Sequence, residues 1–130
     1  MQARKPLGAP LVLVVDDEAP LRAVLMMAFS RWGIGVLEAE NGREAVELYR
    51  RHQAGIGLVL MDVNMPGLSG PETLTAMQEI NAGVRCYFMT GNLGNFTSDD
   101  LRRQGAVNII DKPFDLTMLA RLLRSEQIAA

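Results

Sequence analysis

The chain is short of most of what specialised proteins carry. Its 130 residues include one cysteine, Cys86, which excludes an intrachain disulfide framework and any multi-cysteine metal site. Excess positive charge is also missing: thirteen Lys and Arg against fifteen Asp and Glu leave a formal charge of -2. A nucleic-acid or anionic-membrane binder would carry a strong positive field, so direct contact with either is not expected. No apolar run approaches the roughly 18–20 residues that cross a bilayer. Met1 to Pro10 holds Arg4 and Lys5 but no hydrophobic stretch of signal-peptide length. Internal repeats and low-complexity tracts are lacking as well. What is present, 48% hydrophobic and 22% charged residues, is the composition of one globular domain, expected to be cytoplasmic.

The periodicity divides that domain finely. Two prolines and a glycine make residues 1–10 a flexible lead; residues 11–127 form the domain and 128–130 a short tail. Leu11-Val12-Leu13-Val14-Val15 is continuously apolar, which suits a central strand covered on both faces. Pro20 fits a first helical turn, and Leu21, Val24, Leu25 and Ala28 follow helical spacing toward Gly33. Ile34–Ala39 is a weaker strand, and Asn41 with Glu44 has capping-box spacing ahead of Ala45, Leu48 and Tyr49. Ile56–Met61 is strand-like and ends at Asp62; Ser69 and Glu72 again space a capping box before Leu74, Met77 and Ile80. Arg85–Thr90 makes a fourth strand. Thr97 or Ser98 caps a short helix through Arg103, which Gly105 stops. Val107–Ile110 is a fifth strand, and Asp115 caps a last helix with Leu116, Leu119 and Leu123 along one side. Strands alternating with helices predict an α/β fold: a parallel sheet between helical layers, joined by right-handed crossovers.

Ligands of such sheets sit beyond the carboxyl ends of the strands. Asp16-Asp17, Asp62, Thr90 and Lys112 all fall at strand ends and are therefore expected at one edge. A single aspartate at such a junction is commonly just a helix cap. Three carboxylates with a threonine and a lysine are a site. Crowded carboxylates repel unless a cation joins them, and Mg²⁺ takes one or two carboxylates plus water and phosphate oxygens. Thr90 supplies a hydroxyl donor and Lys112 a positive charge, the complement of phosphoryl oxygens.

These residues carry a resemblance. Val14-Val15-Asp16-Asp17-Glu18, Leu60-Met61-Asp62-Val63-Asn64-Met65-Pro66-Gly67, Met89-Thr90-Gly91 and Asp111-Lys112-Pro113-Phe114, in this order, resemble the receiver domain of two-component response regulators. The resemblance extends from Leu11 to about Arg124. It implies a three-layer, flavodoxin-like fold with strand order 2-1-3-4-5 and a cis Lys112-Pro113 bond. It also implies that Asp62 accepts a phosphoryl group from a histidine kinase or histidine phosphotransfer protein. Asp16, Asp17, Asp62 and the backbone carbonyl of Asn64 would hold Mg²⁺, with Asp17 the more direct of the acidic pair and Asp16 often acting through water. Thr90 and Lys112 would bond the phosphoryl oxygens. Such a protein is not a dedicated enzyme, yet it catalyses its own phosphorylation and its own dephosphorylation.

One position departs from that pattern. Receivers commonly place Tyr or Phe three residues before the lysine, where the ring follows the threonine during switching; here the residue is Ile109. Phosphate acceptance should survive, while transmission through Thr90 and an aromatic ring should not. The loop Gly91-Asn92-Leu93-Gly94-Asn95 is expected to move instead, with Ile109 nearly fixed. The altered surface would lie on the fourth helix, fifth strand and fifth helix and meet a downstream protein or a second copy; a fused output domain is the other arrangement. Two alternatives stay open: a receiver-like interaction module that works without phosphate, and a flavodoxin-like protein for a small ligand. The second lacks a glycine-rich or hydroxyl-rich cradle after the first strand. His52, Cys86 and Trp32 are read as a surface histidine, a small core residue and packing.

Overall fold

The computed structural model describes residues 10–128, so residues 1–9 of the expected lead and 129–130 of the expected tail lie outside the described residues. Ten elements alternate along the chain: β1 (Leu11–Val15), α1 (Ala19–Arg31), β2 (Gly35–Ala39), α2 (Gly42–His52), β3 (Ile56–Asp62), α3 (Gly70–Ile80), β4 (Cys86–Thr90), α4 (Ser98–Gln104), β5 (Asn108–Asp111) and α5 (Leu116–Ser125). All neighbouring strands are parallel, in the order β2-β1-β3-β4-β5. This is the flavodoxin-like α/β order that the resemblance implied, and the Lys112-Pro113 peptide is cis as expected.

The continuous apolarity of β1 has its cause in two separate cores. Leu13 and Val15 face α2, α3 and α4 in a cluster with Met61, Leu74, Met77 and Phe88. Val12 and Val14 face α1 and α5 with Leu25, Phe29, Leu60, Met89 and Leu119. Successive strand residues point to opposite sides, so a strand with two covered sides has no polar position to spare. Each of these fully buried aliphatic chains contributes about 1.5–3 kcal/mol by leaving water. Cys86 is one of the buried small residues, and Trp32 packs its ring on Phe29 at 5.6 Å between centroids.

Helix starts follow the sequence closely, with one correction. Ser69 and Glu72 close the expected capping box, and Thr97 with Asp100 closes another. Asn41 caps α2 through the Glu44 amide at 2.8 Å, but the Glu44 carboxylate accepts from the amide of Glu40, one residue before the cap, at 3.0 Å. The pair thus makes half a capping box. Correct spacing sets the partner range, and the extended path of residue 41 sets which amide lies within it.

Pro10 and Ile128, the first and last described residues, meet at the amino-terminal edge of the sheet. Gln127 takes φ of 61°, which turns α5 back on itself: the Gln127 amide donates to the Arg124 carbonyl at 2.9 Å and the Ile128 amide to that of Leu123, also at 2.9 Å. Ile128 thereby packs on the α1–α5 core. A Cβ on Gly57 would lie 2.5 Å from Pro10 Cβ and 3.0 Å from Ile128 Cδ1, so only glycine lets both residues cross β3 there.

Candidate functional site

At the opposite, carboxyl edge, the ends of β1, β3, β4 and β5 converge. Asp16, Asp17 and Asp62 each bring a carboxylate oxygen within 4.8 Å of the others. Asp16 is fully buried and Asp62 nearly so, while Asp17 faces solvent. Lys112 reaches the cluster from beyond β5, its Nζ 2.8 Å from Asp16 Oδ2 and 3.3 Å from both Asp62 Oδ2 and Glu18 Oε1. The expected convergence of residues remote in sequence is therefore present.

Local geometry explains the placement. Asp16 Oδ1 accepts from the Glu18 amide at 2.8 Å, which aims its other oxygen at Lys112. Arg22, one turn into α1, donates from Nη1 to the Asp16 carbonyl at 2.5 Å and from Nε to Glu38 at 3.1 Å. Asp62 is placed by close backbone packing: a Cβ on Gly70 would lie 2.3 Å from the Asp62 carbonyl oxygen, so α3 begins against the site only because residue 70 is glycine. Asp62 Oδ1 accepts from the Asn64 amide at 3.3 Å. Lys112 is tied to β4 through its amide, which donates to the Thr90 carbonyl at 2.8 Å. Buried Thr90 accepts at Oγ1 from the Asn92 amide at 3.0 Å, which leaves the hydroxyl proton available for a further acceptor.

The electrostatics are unbalanced. Four carboxylates, counting Glu18, share one ammonium. Burial raises the Asp62 pKa above the ordinary value and the Asp16 charge adds to the rise, while Lys112 and the Asn64 amide oppose it. Burial alone would lower Lys112, but its bond to Asp16 and its attraction to Asp62 win, and its pKa is raised. The arrangement therefore keeps a permanent cation beside a carboxylate that bears its charge at a cost. An all-oxygen cluster of this span is the donor set of a hard divalent cation, and Mg²⁺ fits it.

Ile109 stands in register with Phe88 and packs on the α2–α4 core. Two clefts flank the site. One, about 440 Å³, opens beside Asp17 between the Glu40–Arg43 and Pro66–Leu68 segments. The other, about 480 Å³, runs from Glu18 and Lys112 between α1 and Phe114. Sequence reasoning assigned no role to Glu18, Arg22 or Asn92. Glu18 and Asn92 stood inside the segments already singled out, whereas Arg22 had only its position one helical turn past the acidic pair as a signal.

Comparisons with known proteins agree with this geometry. The chain matches the response regulator receiver domain over residues 12–124. It is 30% identical over 105 residues to sporulation initiation phosphotransferase F of Bacillus subtilis (strain 168), covering 81% of this chain and 83% of that one. Chemotaxis protein CheY of the same organism is 35% identical over 104 residues, covering 79% of this chain and 85% of the relative. Other relatives are much longer: the match spans 13% of the autoinducer 1 sensor kinase/phosphatase LuxN of Vibrio harveyi. Among solved structures, a CheX-CheY-BeF3-Mg²⁺ complex from Borrelia burgdorferi superimposes with a TM-score of 0.80 at 28% identity, covering 89% of this chain and 88% of that one. The chain belongs to the response regulator receiver domain family.

Proposed function

We propose that this receiver is a phosphorylation-controlled signalling switch, with Asp62 as the acceptor of a phosphoryl group from a histidine kinase or histidine phosphotransfer protein. The observation that carries this reading is the gathering of Asp16, Asp17, Asp62 and Lys112 at one sheet edge. An Asp62 carboxylate oxygen attacks phosphorus in line, the new O–P bond forming as the donor's N–P bond breaks. The imidazole leaves with the electron pair and takes up a proton. Lys112 lies 3.3 Å from Asp62 and neutralises charge on the transferring group, and the Thr90 hydroxyl donates to one of its oxygens. Asp16, Asp17, Asp62 and the Asn64 carbonyl would hold Mg²⁺, which supplies charge neutralisation at the transferring oxygens. The chain catalyses its own phosphorylation in this scheme, and its own dephosphorylation, without being a dedicated enzyme.

One feature supports a readout by protein contact. A groove of about 370 Å³ lies on the β5–α5 surface, lined by Ile109, Phe114 and Met118 among others. No helix among the described residues is long and apolar enough to cross a membrane. A downstream protein, a fused output domain or a second copy would read the α4–β5–α5 face. Intact mass after treatment with acetyl phosphate and Mg²⁺ tests the acceptor. One phosphoryl group is expected on the wild type and none on Asp62→Asn; stoichiometric phosphorylation of Asp62→Asn would overturn the assignment. A wild type that stays unmodified would favour the phosphate-independent interaction module that Ile109 leaves open.

A further inference from the structure

Glu18 precedes α1 at the position whose side chain ordinarily caps a helix. Its backbone is extended there, with φ of -87° and ψ of 102°, yet its side chain bonds no amide of the helix. Short side chains such as Ser, Thr, Asp and Asn do that work. The Glu18 carboxylate leans instead across the mouth of the site, its Oε1 3.3 Å from Lys112 Nζ. The backbone is fixed for that reach: the Glu18 amide donates to Asp16 Oδ1 at 2.8 Å, and its carbonyl accepts from the Arg22 amide at 3.1 Å.

Lys112 is thereby fully engaged. An ammonium has three N–H donors, and three carboxylates surround this one, Asp16 at 2.8 Å and Asp62 and Glu18 at 3.3 Å each. A phosphoryl oxygen that bonds Nζ must take the place of one of them. Release of Asp16 would strand a fully buried charge. Asp62 is the acceptor and carries the incoming group. Glu18 is the easiest to release, because its side chain is 63% exposed and water replaces what it gives up. Glu18 and Lys112 also line the cleft beside α1, where the remaining wall is apolar, with Leu21, Val24 and Phe114. Among the described residues, that cleft holds no second cation to balance Glu18.

We propose that Glu18 determines which phosphodonors the site accepts: it keeps the third donor of Lys112 in the unmodified protein, yields it to the transferring group, and then faces that group as an unpaired negative charge. This rests on the phosphoryl-acceptor reading above, in which Asp17 is a ligand of Mg²⁺ and has its charge compensated. Glu18 is not among those ligands, and Lys112 has turned to the phosphoryl oxygens. Repulsion between Glu18 and the donor therefore grows with the donor's own negative charge. The site works against a compact dianion and favours a donor whose leaving group brings a proton.

Two small donors separate these cases. Acetyl phosphate is a dianion near neutral pH, whereas a protonated nitrogen cancels one charge of phosphoramidate. Asp62 forms the same O–P bond with each; acetate leaves the first as its P–O bond breaks, and ammonia leaves the second as its P–N bond breaks. Intact mass followed over time in saturating Mg²⁺ gives both labelling rates for wild type, Glu18→Gln and Glu18→Asp. Glu18→Gln is expected to raise the acetyl phosphate rate about three- to fivefold, the scale of one exposed ion pair, and the phosphoramidate rate less than about twofold. The gain should shrink in about 1 M salt, where screening acts within about 3 Å. Glu18→Asp keeps the charge and is expected to keep the wild-type ratio of the two rates. A ratio that Glu18→Gln leaves unchanged overturns the proposal, as does a Glu18→Asp ratio that follows Glu18→Gln. A wild type that neither donor labels overturns the acceptor reading itself, and the role of Glu18 with it.

Discussion

The two edges of this sheet are built on opposite principles. At the carboxyl edge, Asp16, Asp17, Asp62 and Glu18 crowd around a single ammonium, and Asp62 carries its charge against burial. At the amino edge, Glu126 meets Arg85 Nε and Nη2 at 2.7 and 2.9 Å and accepts from the Tyr87 hydroxyl at 2.9 Å. Each charge there has its complement: Arg85 lowers the Glu126 pKa, and Glu126 raises that of Arg85. Burial and the adjoining carboxylate push the Tyr87 phenol up to about 12, so it remains a donor. The difference teaches where the fold keeps its reserve. One edge fastens the last helix and the residues just after it, and the other holds charge in an arrangement that a cation or a phosphoryl group can relieve or rearrange.

Removing the ammonium that the carboxylates of the carboxyl edge share should have the largest effect on stability. Lys112→Met leaves buried Asp16 without its cation, and removal of one partner from such a pair costs about 3 kcal/mol or more. Urea denaturation should show this loss, and acetyl phosphate labelling should fall with it. Glu126→Gln, at the amino edge, should cost about 1–2 kcal/mol, because Arg85 is half-exposed and water replaces much of what it loses. Labelling of Asp62 should be unchanged. If Glu126→Gln lowers labelling as far as Lys112→Met does, the two edges are not independent.

Mg²⁺ sharpens the comparison from the other side. A ligand held only by the folded state at about ten times its dissociation constant adds about 1.4 kcal/mol of stability. Thermal melts with and without the ion should show the gain, reduced in Asp17→Asn and unchanged in Glu126→Gln. A gain that survives Asp17→Asn would place the ion elsewhere.

How much of this was legible depends on how local each cause is. The apolar run of β1, the caps at Ser69, Thr97 and Asp115 and the strand-end positions of Asp16, Asp62, Thr90 and Lys112 all leave a mark within a few residues. The strand order and the cis Lys112-Pro113 bond came from the resemblance, not from periodicity. The Arg85–Glu126–Tyr87 clasp joins residues about forty apart, and the Asn64–Asn92 contact spans 28, with no spacing rule to connect them. Even the Asn41–Glu44 pair, with the right spacing, resolved differently because a side chain picks the nearest amide in three dimensions.

The smallest expected effect separates the edges by sign. The folded-state pKa of Asp62 is raised, by burial first and by Asp16 second. Its contribution to stability is therefore fully present below the unfolded carboxylate value, about 3.9, and is lost as pH rises through the folded value. Near neutral pH the charged form opposes folding. Asp62→Asn should then be more stable than the wild type by about 0.5 kcal/mol, the low end of such gains because Lys112 also loses a partner. Glu126 runs the other way. Its folded pKa lies below the ordinary value, so its contribution is present above about 4.3 and is lost as pH falls through the folded value. On acidification in metal-free buffer, the advantage of Asp62→Asn should shrink first, from the raised value of Asp62 downward. The disadvantage of Glu126→Gln should persist until the pH drops below the ordinary carboxylate range. Denaturation midpoints of the three proteins across that range measure both differences. If they fade together, or if Asp62→Asn is the less stable protein at neutral pH, Asp62 is not held against its own charge and the contrast between the edges collapses.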